Sequence, residues 1–196
     1  MNSQQNDTFL GTTGVITPAT IGSFVGVMVV MIVSYTLANS FLPKNVSNKA
    51  RLLFIWHAFD AGIHISIEAP WLYHTFFSWV PVPKPGETPT YSVERYTMPG
   101  VHFLGHEDRI YGIEYATSPF ASLWKEYAKA DRRVAGSDPS IVCMELICVF
   151  VITPVAIYTC CLLSKGMERK AHFWMIIIAA IELCMSKFIL RVTNWR

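Results

Sequence analysis

The chain has 196 residues, of which 52% are hydrophobic and only 15% charged, with a net charge of +2. A soluble domain carries about a quarter charged residues, so this deficit argues against a soluble fold and points to the bilayer. The small net charge gives no footing for a nucleic-acid partner, and the length suits one bundle better than two domains.

Residues 1–20 form a polar tail without Lys or Arg, so no cleavable signal peptide is expected. Four apolar stretches then read as membrane spans, at about residues 21–42, 52–80, 141–163 and 172–190. The expected fold is therefore all-α, a polytopic transmembrane helical bundle of about four spans making up one membrane domain over 21–190. The first span carries no charge and is closed by Pro43. The connections Pro43–Arg51 and Ser164–Lys170 are short and basic, so the positive-inside rule puts both in the cytosol and both termini across the membrane.

A long connection, residues 81–139, separates the second and third spans. It opens Pro-rich (PVPKPGETPT) and reads as irregular chain. Toward its end, SPFASLWKEYAKA (118–130) predicts an interfacial helix, with Ser118 as cap and Pro119 in the first position. Leu123, Trp124 and Tyr127 share one face of that helix and are expected on the bundle or the membrane interface. Cys143, Cys148, Cys160, Cys161 and Cys184 fall in apolar stretches without metal-type spacing, and are read as packing residues.

The second span carries the chemistry. His57, Asp60, His64, Glu68 and Trp71 are spaced by 3, 4, 4 and 3. At about 100° per residue they fall in a stripe roughly 80° wide. Ionisable groups at the bilayer centre cost a few kcal/mol each, so the stripe must face the bundle interior or a polar cavity. Glu145 in the third span and Glu182 in the fourth are the expected partners across that interior. A carboxyl group in a water-poor site can act as general acid, and a second Glu or a His as base. Phe54, Trp56, Phe59, Trp71 and Trp174 are candidates to surround a transient cation. The alternative is that the stripe holds the bundle together through interhelical hydrogen bonds. His57, Asp60 and His64 share a face that could hold a metal, but no H-E-x-x-H pattern occurs, and neither metal nor cofactor is expected.

Three blocks, GIHISIE (62–68), LWKEYAKADRR (123–133) and DPSIVCME (138–145), occur in an order and spacing that resemble the emopamil-binding protein family, which includes sterol Δ8–Δ7 isomerases and belongs to the EXPERA group. The resemblance covers roughly residues 50–165. It implies that His64, Glu68 and Glu145 sit in the sterol cavity and are needed for activity. Glu68, assisted by His64, would protonate a double bond or shuttle its proton. Glu145 would stabilise the cation or join the second proton transfer. The stripe itself, with Cys148 and Glu182 across the interior, makes His57, Asp60, Trp71, Cys148 and Glu182 the expected lining of the substrate site.

The sequence departs from the family pattern in three places. Cys148 stands where a Thr is common, the fifth helix with its Asn and Trp has no counterpart within these residues, and the segment 81–115, with its run GVHFLGHEDRIYGIEYA, is longer. The expected function is proton-initiated double-bond migration on an isoprenoid, with a sterol as default substrate. Cyclisation of a terpene or meroterpenoid by the same acid machinery, and non-catalytic sterol binding, stay open beside it. Expected partners are a lipophilic small molecule and the lipid bilayer, with a homodimer left open, and the expected location is the endoplasmic reticulum membrane.

Overall fold

The computed structural model describes residues 17–89 and 102–193. The polar tail over 1–16 and the stretch 90–101 of the long connection lie outside the described residues.

Helix α1 (Pro18–Phe41) starts in a capping box, in which the Thr17 hydroxyl accepts from the Thr20 N–H at 3.1 Å and Pro18 takes the first turn. Its flanks are largely exposed, including Phe24, Val25, Met28 and Ile32. Ser47 caps α2 (Asn48–Ile63), which runs without a break through a π-helical turn (His64–Glu68) into α3 (Ala69–Phe77). Helix α4 (Pro119–Tyr127) is followed by a short 3-10 turn at Arg132–Val134. Asp138 caps α5 (Pro139–Ile147), accepting from the Ser140 N–H at 2.9 Å, and α5 passes through a second π-turn (Cys148–Ile152) into α6 (Thr153–Ser164). At the end of α6 Gly166 takes a left-handed φ of 70°, while the Met167 N–H reaches back to the Leu162 carbonyl at 2.9 Å. Helix α7 (Glu168–Thr193) follows.

Two helices, Pro18–Phe41 and the continuous Pro139–Ser164, are long and apolar enough to cross a membrane. Among the described residues the β structure is one small antiparallel pair, β1 (Trp79–Pro81) against β2 (Arg109–Tyr111), with Val80 opposite Ile110. The helix of the second apolar stretch thus stops at Phe77 and not at Val80. Trp79 and Val80 suit a strand better than a helix end, and the Arg109 guanidinium lies 4.3 Å over the Trp79 ring. The interfacial helix ends at Tyr127, earlier than its composition predicts, and the chain turns over 128–130.

The core falls into three zones. Leu42, Ala50, Phe54, Leu163 and Ala171 pack together, which brings both basic connections to one end of the bundle. Ala61, Ile152, Ala156 and Ile178 fill the middle. Trp71, Ile113, Ala116, Val134 and Ile141 tie the hairpin and the α4 segment to the other end.

Candidate active site

Both π-turns have the same local cause. Each is followed by one residue and then a proline, Pro70 after the first and Pro154 after the second. In a regular α-helix those prolines would withhold the N–H owed to the carbonyl four residues back and would press their rings on it. Widening the turn by one residue relieves this, and the Ala69 N–H bonds instead to the His64 carbonyl and the Thr153 N–H to the Cys148 carbonyl. Hydroxyls add to the same turns: Thr153 Oγ1 donates at 2.9 Å to the Cys148 carbonyl that its own N–H already reaches, and Ser66 Oγ donates to the Gly62 carbonyl at 2.6 Å. The two turns lie against each other. They carry His64, Glu68 and Cys148, and Glu145 stands one turn before the second.

His64 is the centre of the cluster. It is 7% exposed. Its Nδ1 shares a hydrogen bond of 2.5 Å with Glu68 Oε2, while its Nε2 lies 3.5 Å from Asp60 Oδ1 without a hydrogen-bond partner. Two sets of donor atoms meet around it: His64 with Glu68 and Cys148, and His64 with Asp60 and Glu182, the atoms of each set lying within 4.8 Å of one another. Either set could hold a metal ion; in the second, with Nδ1 engaged by Glu68, the ion would use His64 Nε2 on the side of Asp60.

Glu68 and Glu145 line one cavity of about 560 Å³, and Glu145 Oε2 is buried there without a hydrogen-bond partner. Trp124, Tyr127 and Leu123 of α4 form the opposite wall, with Ile67 and Met144 beside the carboxyl groups. The rim is polar, being made by Glu126 and by Arg133, whose guanidinium is forked on Asp131 with contacts of 2.9 and 2.6 Å. A volume of this size suits a small hydrophobic ligand. The Trp124 indole N–H donates to the Ile67 carbonyl at 3.0 Å, inside the first π-turn, so α4 is fastened to the element that presents Glu68.

The structure thus brings together His64, Glu68, Glu145, Cys148, Asp60 and Glu182, the last from the exposed face of α7. His57 is buried one turn before Asp60, its Nδ1 without a hydrogen-bond partner.

Trp71 is a correction. It is fully buried, and its indole donates to the Val134 carbonyl at 3.0 Å, so it anchors the long connection and lines no part of the acid cavity. The π-turn is the reason: one inserted residue rotates everything after it by about 100°, which carries Trp71 off the stripe. The aromatic candidates are corrected too. Phe54 is packed in the core, Trp56 is exposed, and Trp174 stacks edge-on with Tyr158, so the rings on the cavity are Trp124 and Tyr127.

Residues 119–195 match the family model of EXPERA, the expanded EBP superfamily. The match spans α4 to α7 and includes Trp124, Glu145, Cys148 and Glu182. His64 and Glu68 lie before it, and join it in space through the two facing π-turns.

Proposed function

We propose that this chain is a membrane enzyme that performs proton-initiated carbocation chemistry on a hydrophobic isoprenoid, with sterol Δ8–Δ7 isomerase-like double-bond migration as the first reading. The observation that carries it is the pairing of Glu68, held by His64, with Glu145 in a single cavity walled by Trp124 and Tyr127. The match to EXPERA supports the same reaction class.

The chemistry follows from that arrangement. Glu68 delivers its proton to one carbon of the double bond, whose π electrons form the new C–H bond and leave a cation on the other carbon. The faces of Trp124 and Tyr127 and the nearby carboxylate stabilise that cation. Glu145 then takes a proton from the carbon on the far side, and the electrons of that C–H bond form the shifted double bond. The cycle closes when Glu145 releases its proton to water at the polar rim and Glu68 regains one from water by way of His64 and their shared hydrogen bond.

The expected setting is four spans in the endoplasmic reticulum membrane, made by α1, the α2–α3 helix, the α5–α6 helix and α7, with both basic connections in the cytosol. The packing of Leu42 and Ala50 with Leu163 and Ala171 at one end of the bundle supports that arrangement. Cyclisation of a prenyl chain is the second reading, because a pair of carboxyl groups on one cavity serves epoxide opening and the final proton loss equally. Incubating membranes that contain the protein with a Δ8 sterol, and separately with an epoxidised prenyl phenol, tests both. A Δ7 sterol supports the first and a cyclised product the second. Tight binding of both compounds without a product leaves a sterol-binding protein.

A further inference from the structure

Beside the acid cavity runs a second, larger hollow of about 830 Å³ between α1 and α4. The two share Ser23, Ile67 and Leu123 as walls, so they adjoin at the first π-turn. The α1 side of this groove is cut low by Gly22 and Gly26, and the α4 side is built from Phe120 and Leu123. Hydroxyls on its walls are engaged by their own helices: Ser23 Oγ donates to the Thr20 carbonyl at 2.7 Å and Ser66 Oγ to the Gly62 carbonyl at 2.6 Å. Its lining is otherwise mostly apolar. Its α1 edge continues through Val29 into the exposed apolar flank of Val25 and Ile32.

We infer that this groove is a second subsite of the same active site, which takes the flexible aliphatic tail of the substrate while the reacting double bond or epoxide lies between Glu68 and Glu145. The inference rests on the proposed acid chemistry for its substrate, and deepens it. The substrate has a reactive head that fits the acid cavity and a flexible hydrocarbon tail, and it arrives sideways from the bilayer along α1. Tail burial fixes the head without any polar contact, which is how remote binding energy serves a reaction at a distance.

Two photoactivatable probes in native membranes test this. One is a Δ8 sterol with a diazirine at the end of its side chain, the other a Δ8 sterol that lacks the side chain and carries the diazirine on the ring beside the double bond, and the labelled peptides are mapped by mass spectrometry. The tail probe should label the Gly22–Gly26 and Phe120–Leu123 segments, and the unlabelled Δ8 sterol should compete it away. The ring probe should label the Met144–Glu145 segment. A Cβ added at Gly22 or Gly26 meets nothing within 4 Å, so Gly22→Leu and Gly26→Leu fill the groove without disturbing the fold. They should cut tail labelling by about tenfold, the factor set by losing about two buried methylenes, and leave ring-probe labelling unchanged.

Equal labelling of the groove by a photoactivatable phosphatidylcholine, with no competition by the Δ8 sterol, would mean annular lipid and overturn the inference. So would labelling elsewhere, or none. Labelling needs no turnover, so correct labelling with no product from any substrate would sink the acid chemistry and leave the subsite standing.

Discussion

Replacing Glu68 with Gln separates a proton-transfer site from a structural one, because the structure sets different magnitudes for the two roles. Glutamine keeps the shape of the side chain and can still bond His64 Nδ1, now 2.5 Å from Glu68 Oε2. A charge-assisted hydrogen bond contributes about 1.5–3 kcal/mol and a neutral one about 0.5–1.5, so the stability lost is about 1–2 kcal/mol. Glu68 is also half-buried at the cavity wall and not locked in the core, so no void is created. Turnover behaves differently, since an amide cannot deliver a proton at a useful rate. Loss of general acid catalysis costs about 10²–10⁴-fold, or about 2.7–5.5 kcal/mol of transition-state stabilisation. The assay is product formation by membranes matched for folded protein, run in D2O so that the protonated carbon acquires deuterium. Tm in detergent is followed in parallel. The expected result is a turnover loss of about a hundredfold or more with a small fall in Tm. Unchanged turnover, or a variant that fails to fold, would refute the assignment and return the stripe to a structural role.

Glu145→Gln should reduce turnover by a similar factor of about 10² while ligand binding, measured with a radiolabelled neutral sterol, persists. Trp124→Ala removes both a cavity wall and the donor to the Ile67 carbonyl, and should lower stability by about 2–4 kcal/mol; Lys129→Ala, at an exposed ion pair with Glu126, should change it by less than about 1 kcal/mol. Equal shifts in Tm for the two would count against the role given to α4. At Gly112 a Cβ would come within 2.4 Å of the Ala135 carbonyl oxygen, so Gly112→Ala should separate the hairpin from the segment before α5 and raise protease sensitivity there. A glycosylation tag added after Arg196 should be modified in microsomes if four spans place the C-terminus in the lumen; an unmodified tag on inserted protein would rule out that topology.

The fold class and the acid stripe are readable in the sequence because they rest on regularities of one helix: apolar length, and a repeat of 3 and 4. Ser118, Asp138 and Ser47 cap helices where short-range rules place caps. What periodicity misses is the break in the repeat itself. The 3.6-residue wheel carries Trp71 onto the line of His64, and the π-turn carries it away. The signal was present in the prolines, Pro70 and Pro154, each set just behind a candidate site residue within an otherwise helical run. The cavity wall was hidden for another reason. Trp124 reaches Ile67 across 57 positions of chain, a contact set by tertiary packing that no local pattern encodes. The β1–β2 pairing was equally invisible, since its strands are three residues each and lie on either side of a long excursion.

The fastening of the first π-turn to α4 also bears on how the protein is made. When the helix that carries Asp60, His64 and Glu68 leaves the ribosome, neither its roof nor its opposing carboxylate yet exists. Trp124 follows Ile67 by 57 residues, and Glu145 follows Glu68 by 77. At about 5–20 residues per second, that polar helix waits on the order of 3–15 s before its partners are synthesised. If this helix is one of the proposed spans, it sits during this interval in or beside the translocation channel with its acidic face uncovered. Membrane chaperones that shield such a face would act in that window, and slowing translation between residues 70 and 145 would lengthen the exposure and favour degradation over assembly.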